Sequence, residues 1–119
     1  MKKYFAVLSA FVLIILMACS KEVIAPEEIA KCYKTNPIEE LPWLNDVVKS
    51  FQKPKFGHLI VSSSAFRNEV YIVVNNLTVS CPMCYIYNCQ GETIGKLGIH
   101  YNTFTSEAKL IKVFLNKNY

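Results

Sequence analysis

The chain has 119 residues, with 13 Lys or Arg against 9 Asp or Glu, which gives a formal net charge of +4. This length allows one domain at most, and so small a positive charge excludes the basic footprint of a nucleic-acid-binding domain. No internal repeat, low-complexity stretch or cofactor-binding motif is present in the sequence.

The N-terminus has the pattern of an export signal. Lys2 and Lys3 precede an apolar run over residues 4–15, which has the length of a signal-peptide core and is too short to span a bilayer. Leu-Met-Ala-Cys follows at residues 16–19 and resembles the lipobox of bacterial lipoproteins. The resemblance implies a signal peptide over residues 1–18, cleavage before Cys19, diacylglycerol on the Cys19 sulfur and acylation of the new amine. An ordinary signal peptide or an uncleaved N-terminal anchor is the alternative.

A polar segment follows the lipobox cysteine. Residues 19–31 include Pro26 and predict a lipid-anchored tether ahead of a single small domain over residues 32–119. Ser20-Lys21-Glu22 partly resembles the charged signal that sends some Bacteroidota lipoproteins to the cell surface, and a plain solvated linker is the alternative. We expect a cell-envelope protein at the outer membrane, on its periplasmic or its outer side.

The first predicted element of the domain is an amphipathic helix. Its apolar stripe has the spacing i, i+3, i+4, i+7 and consists of Leu44, Val47, Val48 and Phe51. Pro42 suits the first helical turn, and Pro54 and Gly57 end the helix.

After this helix the apolar period changes to two. Residues 58–66 and 69–75 are rich in Val and Ile and predict two antiparallel strands joined by a turn at Arg67-Asn68.

The rest of the chain completes the predicted sheet. Residues 84–88 predict a third strand, which a turn at Gln90-Gly91 joins to a fourth over residues 92–97. Residues 108–115 fit a strand by their β-branched content and a helix by their lysine spacing, and we prefer the strand. The predicted fold class is therefore α+β, with one amphipathic helix packed on a four- or five-stranded antiparallel sheet.

Two stretches resemble a family of small Bacteroidota lipoproteins of unknown function. They are Asn-Pro-Ile-Glu-Glu-Leu-Pro-Trp-Leu at residues 36–44, preceded by Cys32, and Tyr-Asn-Cys-Gln-Gly-Glu at residues 87–92, preceded by Cys81. Members share the Leu-Pro-Trp-Leu helix start and an aromatic-polar-Cys-x-Gly turn. This chain lacks the further cysteine that several members carry after the last hairpin strand. The resemblance implies a fold and an envelope location; because the family has no settled activity, it indicates no mechanism.

The cysteines other than Cys19 are Cys32, Cys81, Cys84 and Cys89. Cys81-Pro82-Met83-Cys84 has the spacing of a thiol–disulfide oxidoreductase, but a strand-like sequence follows it and no proline lies downstream. A zinc site would combine Cys81, Cys84 and Cys89 with Cys32 or His100, although an oxidising compartment converts neighbouring thiols to disulfides. Four cysteines permit two disulfides in three connectivities. We favour structural disulfides that join Cys81 to Cys89 and Cys32 to Cys84.

No catalytic constellation is recognisable in the sequence. His58 and His100 are isolated, and Ser62-Ser63-Ser64 lacks the Gly-x-Ser-x-Gly elbow of a serine nucleophile. We expect a monomeric, non-enzymatic binding or structural module without a cofactor, metal or nucleic-acid partner, held to the membrane by its N-terminal lipid. It would present an open sheet face or edge strand to an envelope protein. The alternative is an exported inhibitor or a thiol-active protein, redox or zinc-binding, that uses the Cys-Pro-Met-Cys motif.

Overall fold

A computed structural model describes residues 23–52 and 57–119. The strands form one antiparallel sheet in the order β3-β2-β1-β4. They are β1 (His58–Phe66), β2 (Glu69–Asn76), β3 (Ile86–Asn88) and β4 (Lys109–Asn118). The helices are α1 (Pro26–Ala30), α2 (Pro37–Glu40), α3 (Pro42–Gln52) and α4 (Tyr101–Glu107), and a 3₁₀ turn spans Pro82–Tyr85. The predicted α+β class, with an amphipathic helix on a four-stranded antiparallel sheet, is confirmed.

The amphipathic helix is α3, which begins at Pro42 as predicted. Leu44, Val48 and Phe51 are buried from this helix, and Val47 packs against the same core from a half-buried position. Each fully buried side chain of this kind stabilises the fold by about 1.5–3 kcal/mol. The helix is therefore held by its apolar stripe on the sheet.

The β1–β2 hairpin matches the predicted turn. Arg67 and Asn68 both have positive φ, 49° and 62°, and they join Phe66 to its partner Glu69. Positive φ at both central residues is the conformation of a two-residue turn whose twist suits a hairpin.

Two predicted strands differ from the structure. The third strand covers Ile86–Asn88 rather than residues 84–88, because Pro82 opens a 3₁₀ turn that includes Cys84 and Tyr85. The predicted fourth strand over residues 92–97 is wrong. Thr93 makes one isolated bridge to Tyr87, and the chain then turns, with the N–H of Leu97 bonded to the Thr93 carbonyl at 3.1 Å.

The C-terminal segment forms the strand that we preferred, β4, and extends the prediction to Lys109–Asn118. It pairs antiparallel with β1 and forms one edge of the sheet. The helix α4, directly before it, was not predicted. Only Phe104 is buried from α4, so its sequence carries no apolar stripe to reveal a helix.

The sheet has a core on each face. The face under α3 buries side chains from both central strands, including Leu59, Val61, Ile72 and Val74. The opposite face packs the aromatic rings of Phe66, Tyr71 and Phe104 with Ile86 and Ile94. The sheet is therefore covered on both sides over its β2–β3 half, and α4 supplies the second cover.

Ordered packing begins ahead of Cys32. Ile24 is buried in the core, and Ile29 of α1 packs against the same cluster. The part of the expected tether over residues 23–31 therefore lies on the domain. Cys19 and the signal segment lie outside the described residues. Within residues 23–52 and 57–119, no helix is both long enough and apolar enough to cross a bilayer.

Candidate functional site

The four predicted disulfide cysteines do form two disulfides, but the favoured pairing is wrong. Cys32 bonds to Cys89, with 5.3 Å between the Cα atoms, and Cys81 bonds to Cys84, with 5.4 Å. The 3₁₀ turn brings Cys81 and Cys84 together. Cys89 lies past the end of β3, where its sulfur approaches the Val70 carbonyl and bonds to Cys32.

The loop that carries Cys32 is fixed by Glu40. Its carboxylate accepts hydrogen bonds from the backbone N–H groups of Lys34, Thr35 and Asn36, at 2.8, 2.9 and 2.7 Å. These bonds, that of Lys34 first, lower the pKa of the Glu40 carboxyl because they favour its charged form. The carboxylate thus orders the turn between Cys32 and α2.

The partner loop around Cys89 is fixed by Trp43 of α3. The indole Nε1 donates to the Cys89 carbonyl at 3.2 Å, and the Trp43 ring lies 5.0 Å from the ring of Tyr87. Gly91 follows with φ +82°, and a Cβ at that position would lie 2.9 Å from Trp43 Cδ2. The Cys32–Cys89 disulfide is therefore built into a packed junction between α3 and the β3 turn.

The two disulfides differ in the chain they enclose. Cys32 and Cys89 are 57 residues apart, whereas Cys81 and Cys84 are 3 apart. By loop-closure entropy, the long loop contributes about 4 kcal/mol to stability and the short one about 2 kcal/mol. Cys32–Cys89 is thus the main covalent support of the fold.

The cysteines of the alternative zinc site are all bonded in these two disulfides. Disulfide sulfurs are not the thiolates that zinc requires. Within the described residues, no group of three or more His, Cys, Asp or Glu side chains is placed to hold a metal ion. His100 lies at an open cleft of about 400 Å³ with Met83 and Tyr101. His58 is at the start of β1 and hydrogen-bonds to Asn116 through Nε2.

A polar cleft of about 510 Å³ lies between α1 and the start of β2, beside Cys89. Its charged lining residues are Glu28, Lys31 and Glu69. Lys31 Nζ lies 2.8 Å from Glu28 Oε1, and the Tyr71 hydroxyl donates to Glu69 at 3.3 Å. Burial, followed by the Glu69 charge, raises the pKa of the Tyr71 hydroxyl. The Glu28–Lys31 pair is neutral and Glu69 accepts from a neutral hydroxyl, so the described lining keeps one net negative charge, which disfavours an anionic ligand.

Among the described strands, β4 forms one edge of the sheet and is the longest. This ten-residue strand pairs with β1 on one side, and its other side ends the sheet. The strand carries three lysines and no acidic residue: Lys109, Lys112 and Lys117. Among the described residues, none of these three ammonium groups is in an ion pair.

The register places the three lysines on one face of the sheet. They lie opposite Ala65, Ser63 and Leu59 of β1, which face α3. Lys112 and Lys117 lie over the rings of Phe114 and Tyr119, at 5.7 and 5.6 Å from the ring centroids.

The opposite face of β4 is apolar and exposed. Leu110 and Val113 are 60% and 42% exposed and lie opposite Ser64 and Ser62. Leu110 also borders an open groove of about 300 Å³ with Ser62, Ser64 and Tyr101. The edge of β4 therefore combines the backbone groups of its outer side with one cationic face and one apolar face.

Comparison with protein-family models, with curated proteins and with solved structures finds no match to this chain. The candidate sites therefore depend on the geometry alone. Sequence reasoning predicted that an edge strand or sheet face would be open, but not that β4 would be that edge. The lysine spacing in residues 108–115 was the available signal, since lysine is typical of exposed edge strands.

Proposed function

We propose that this protein is an exported lipoprotein, held in the cell envelope by an acylated Cys19, that binds an extended acidic segment of a partner without catalysing a reaction. The segment would add to the sheet as a strand beside β4. The single observation that carries this proposal is the open, cationic, ten-residue edge of β4. An outer-membrane location and membership of the Bacteroidota lipoproteins are parts of the same proposal, supported by the N-terminal sequence and by the resemblance at residues 36–44 and 87–92.

Backbone hydrogen bonds would supply the affinity. A free strand edge presents unpaired N–H and C=O groups, and an extended peptide satisfies them by strand addition. Proteins commonly protect such edges with lysines and bulges. Both are present in β4, whose pairing with β1 shifts register between Val61 and Ser62 and between Ser63 and Ser64. The lysines and bulges disfavour pairing with an arbitrary strand. A strand that adds to β4 must therefore carry charges that match the lysines.

The charge of β4 selects the partner. In an antiparallel pair, opposite charges placed directly across from each other contribute about 0.2–1 kcal/mol per pair, and like charges destabilise. A second copy of β4 would bring lysines against lysines, because the strand has three Lys and no Asp or Glu. A segment with carboxylates on that face would offset the charge of all three.

The two faces of β4 define the pattern of the segment. The lysines lie on the α3 face, and Leu110 and Val113 lie exposed on the other. Side chains alternate between faces along a strand, so the preferred ligand alternates acidic with apolar residues. An apolar side chain of the ligand could extend from Leu110 into the groove beside Ser62 and Ser64.

The test uses the mature protein in detergent and a fluorescent ten-residue peptide that alternates Glu with Val. We expect saturable binding by fluorescence anisotropy, weaker by at least tenfold when Gln replaces Glu or when alternate peptide nitrogens are methylated. Lys112→Glu with Lys117→Glu should have the same effect, whereas Lys49→Glu on α3 is the matched control and should not. Equal affinity for the Glu and Gln peptides, or undiminished binding by the charge-reversed β4, would refute the proposal.

A further inference from the structure

The Cys81–Cys84 disulfide differs from Cys32–Cys89 in its exposure to solvent. Cys84 is exposed and Cys81 is half-buried, whereas Cys89 is half-buried and Cys32 is only 8% exposed, so the contrast lies between Cys84 and Cys32. Thiol–disulfide exchange needs in-line access of a thiolate to one sulfur, so exposed disulfides are the labile ones. The two bonds should therefore respond differently to the same reductant.

We propose that Cys81–Cys84 is an exchangeable disulfide that accepts two electrons from a dithiol and can close again, while Cys32–Cys89 remains a structural cross-link. This inference is independent of the β4 proposal, since neither cysteine belongs to β4 and the two experiments share no readout.

Contacts other than the disulfide also support the turn that carries Cys81 and Cys84. The Cys84 N–H donates to the Cys81 carbonyl at 3.1 Å, which closes the turn through the backbone. Tyr85, next in the chain, is anchored on the core by the Phe51 ring, with 5.0 Å between centroids. Reduction would therefore leave the two sulfurs close to each other and ready to bond again.

An open cleft lies beside the turn that carries this disulfide. Met83, between the two cysteines, is 39% exposed and borders the cleft of about 400 Å³ that also contains Gly95, Gly98 and His100. A glycine-lined wall leaves space beside the Cys-Pro-Met-Cys turn for the chain of an incoming thiol protein.

The exchange balances with a dithiol as the electron donor. Its first thiolate attacks Cys84 Sγ, which forms a mixed disulfide and releases Cys81 as a thiolate. Its second thiolate then attacks the donor's own sulfur in the mixed disulfide, which releases Cys84. The donor leaves as a disulfide, two electrons have moved to Cys81 and Cys84, and the two protons lost by the donor thiols end on these cysteines at a pH below their pKa.

The test titrates the mature protein in detergent with dithiothreitol, blocks free thiols with N-ethylmaleimide and reads the labelled peptides by mass spectrometry. We expect Cys81 and Cys84 to be half-labelled at a dithiothreitol concentration at least tenfold below that for Cys32 and Cys89. Removal of reductant and addition of oxidised glutathione should restore the Cys81–Cys84 bond. A common midpoint for both pairs, or earlier labelling of Cys32 and Cys89, would overturn the proposal.

Paired variants separate exchange from a structural role. Cys81→Ser with Cys84→Ser should lose the low-concentration labelling phase and keep the circular dichroism spectrum and a cooperative thermal transition. In the single variant Cys81→Ser, the thiol left at Cys84 should form a mixed disulfide with glutathione. If the double variant unfolds, or the Cys84 thiol of the single variant resists glutathione, the bond is a structural one and the inference fails.

Discussion

At the scale of single residues, the junction of α3 with the β3 turn depends on a missing side chain. Gly91 has φ +82°, and a Cβ there would lie 2.9 Å from Trp43 Cδ2 and 3.0 Å from Trp43 Cγ. The same Trp43 donates to the Cys89 carbonyl. A substitution at Gly91 would thus act on backbone conformation, on ring packing and on the support of Cys89 together.

Gly91→Ala should lower the free energy of unfolding by about 2–4 kcal/mol, from left-handed backbone strain and overpacking against Trp43. Gly98→Ala is the matched control, because Gly98 also has positive φ, 72°, but a Cβ there meets nothing within 4 Å. Gly98→Ala should lower the free energy of unfolding by only about 1 kcal/mol, because only the strain of the left-handed backbone applies there. Urea unfolding followed by tryptophan fluorescence measures both, and equal losses would show that the contact with Trp43 does not matter.

The Glu40 carboxylate predicts a pH dependence of stability. Its three backbone hydrogen bonds lower its pKa from the ordinary 4.5, so the folded state binds this proton more weakly than the unfolded state. The contribution is therefore fully present above pH 4.5 and is lost as the pH falls through the lowered folded pKa. Thermal unfolding of wild type and Glu40→Gln should show a stability difference at neutral pH that shrinks below this value. Glu39→Gln controls for loss of one negative charge on α2, and a difference that does not depend on pH would contradict the assignment.

At the scale of elements, a helix or strand could be predicted where its apolar residues recur with a regular period. The apolar stripe of α3 and the alternation of β1 and β2 each arise from burial on one face, which leaves a pattern in the sequence. The segment after β3 has no such pattern. Gly95 and Gly98 lie in it, and Thr93 Oγ1 accepts the Lys96 N–H at 3.3 Å, so local turn bonds replace the predicted strand.

The cysteine pairing could not be predicted because it follows from tertiary placement. Two bridges were expected from the even count, but the choice among three connectivities depends on where β3 ends relative to Cys32. The structure ends β3 at Asn88, which places Cys89 at the junction with Trp43. A proline at the first position favours a 3₁₀ turn. This turn brings Cys81 and Cys84 together, so they pair with each other.

Loss of the long-loop disulfide should be the larger destabilisation. Cys32→Ser with Cys89→Ser removes a bond across 57 residues and should lower the free energy of unfolding by about 4 kcal/mol. Cys81→Ser with Cys84→Ser, across 3 residues, should lower it by about 2 kcal/mol or less. Chemical denaturation without reductant measures both. An equal or larger effect of the short-loop pair would show that the 3₁₀ turn, and not the α3 junction, limits stability.

At the scale of the whole molecule, the sheet is asymmetric. One edge, β3, has three residues and continues into the turn that carries the disulfide junction, whereas the other edge, β4, has ten residues and is open. The strand that was preferred over residues 108–115 is thus also the edge strand to which the proposed function assigns a partner. The sequence could not show that they coincide, because strand order in a sheet follows from long-range pairing.

The proposed lipid anchor at Cys19 would determine where such an edge works. Three acyl chains at Cys19 would hold the domain firmly, since each buried methylene contributes about 0.8 kcal/mol and one chain alone gives only marginal binding. The described chain begins to pack at Ile24, five positions after Cys19 in the sequence. A short connection of this kind would keep β4 close to the bilayer, so its partner would belong to the envelope and not to free solution.

The substitution Cys19→Ser should remove the proposed anchor. The wild-type protein should incorporate labelled palmitate and partition into the detergent phase of a Triton X-114 separation. The variant should lose the label, because serine cannot form the thioether, and its mature domain should move to the aqueous phase with an unchanged thermal transition. Ala18→Val, with the cysteine intact and the small residue before it enlarged, should leave the signal segment uncleaved by intact mass. Wild-type protein that is unlabelled by palmitate and begins at a residue other than 19 would remove the anchor and, with it, the envelope location of the proposed binding.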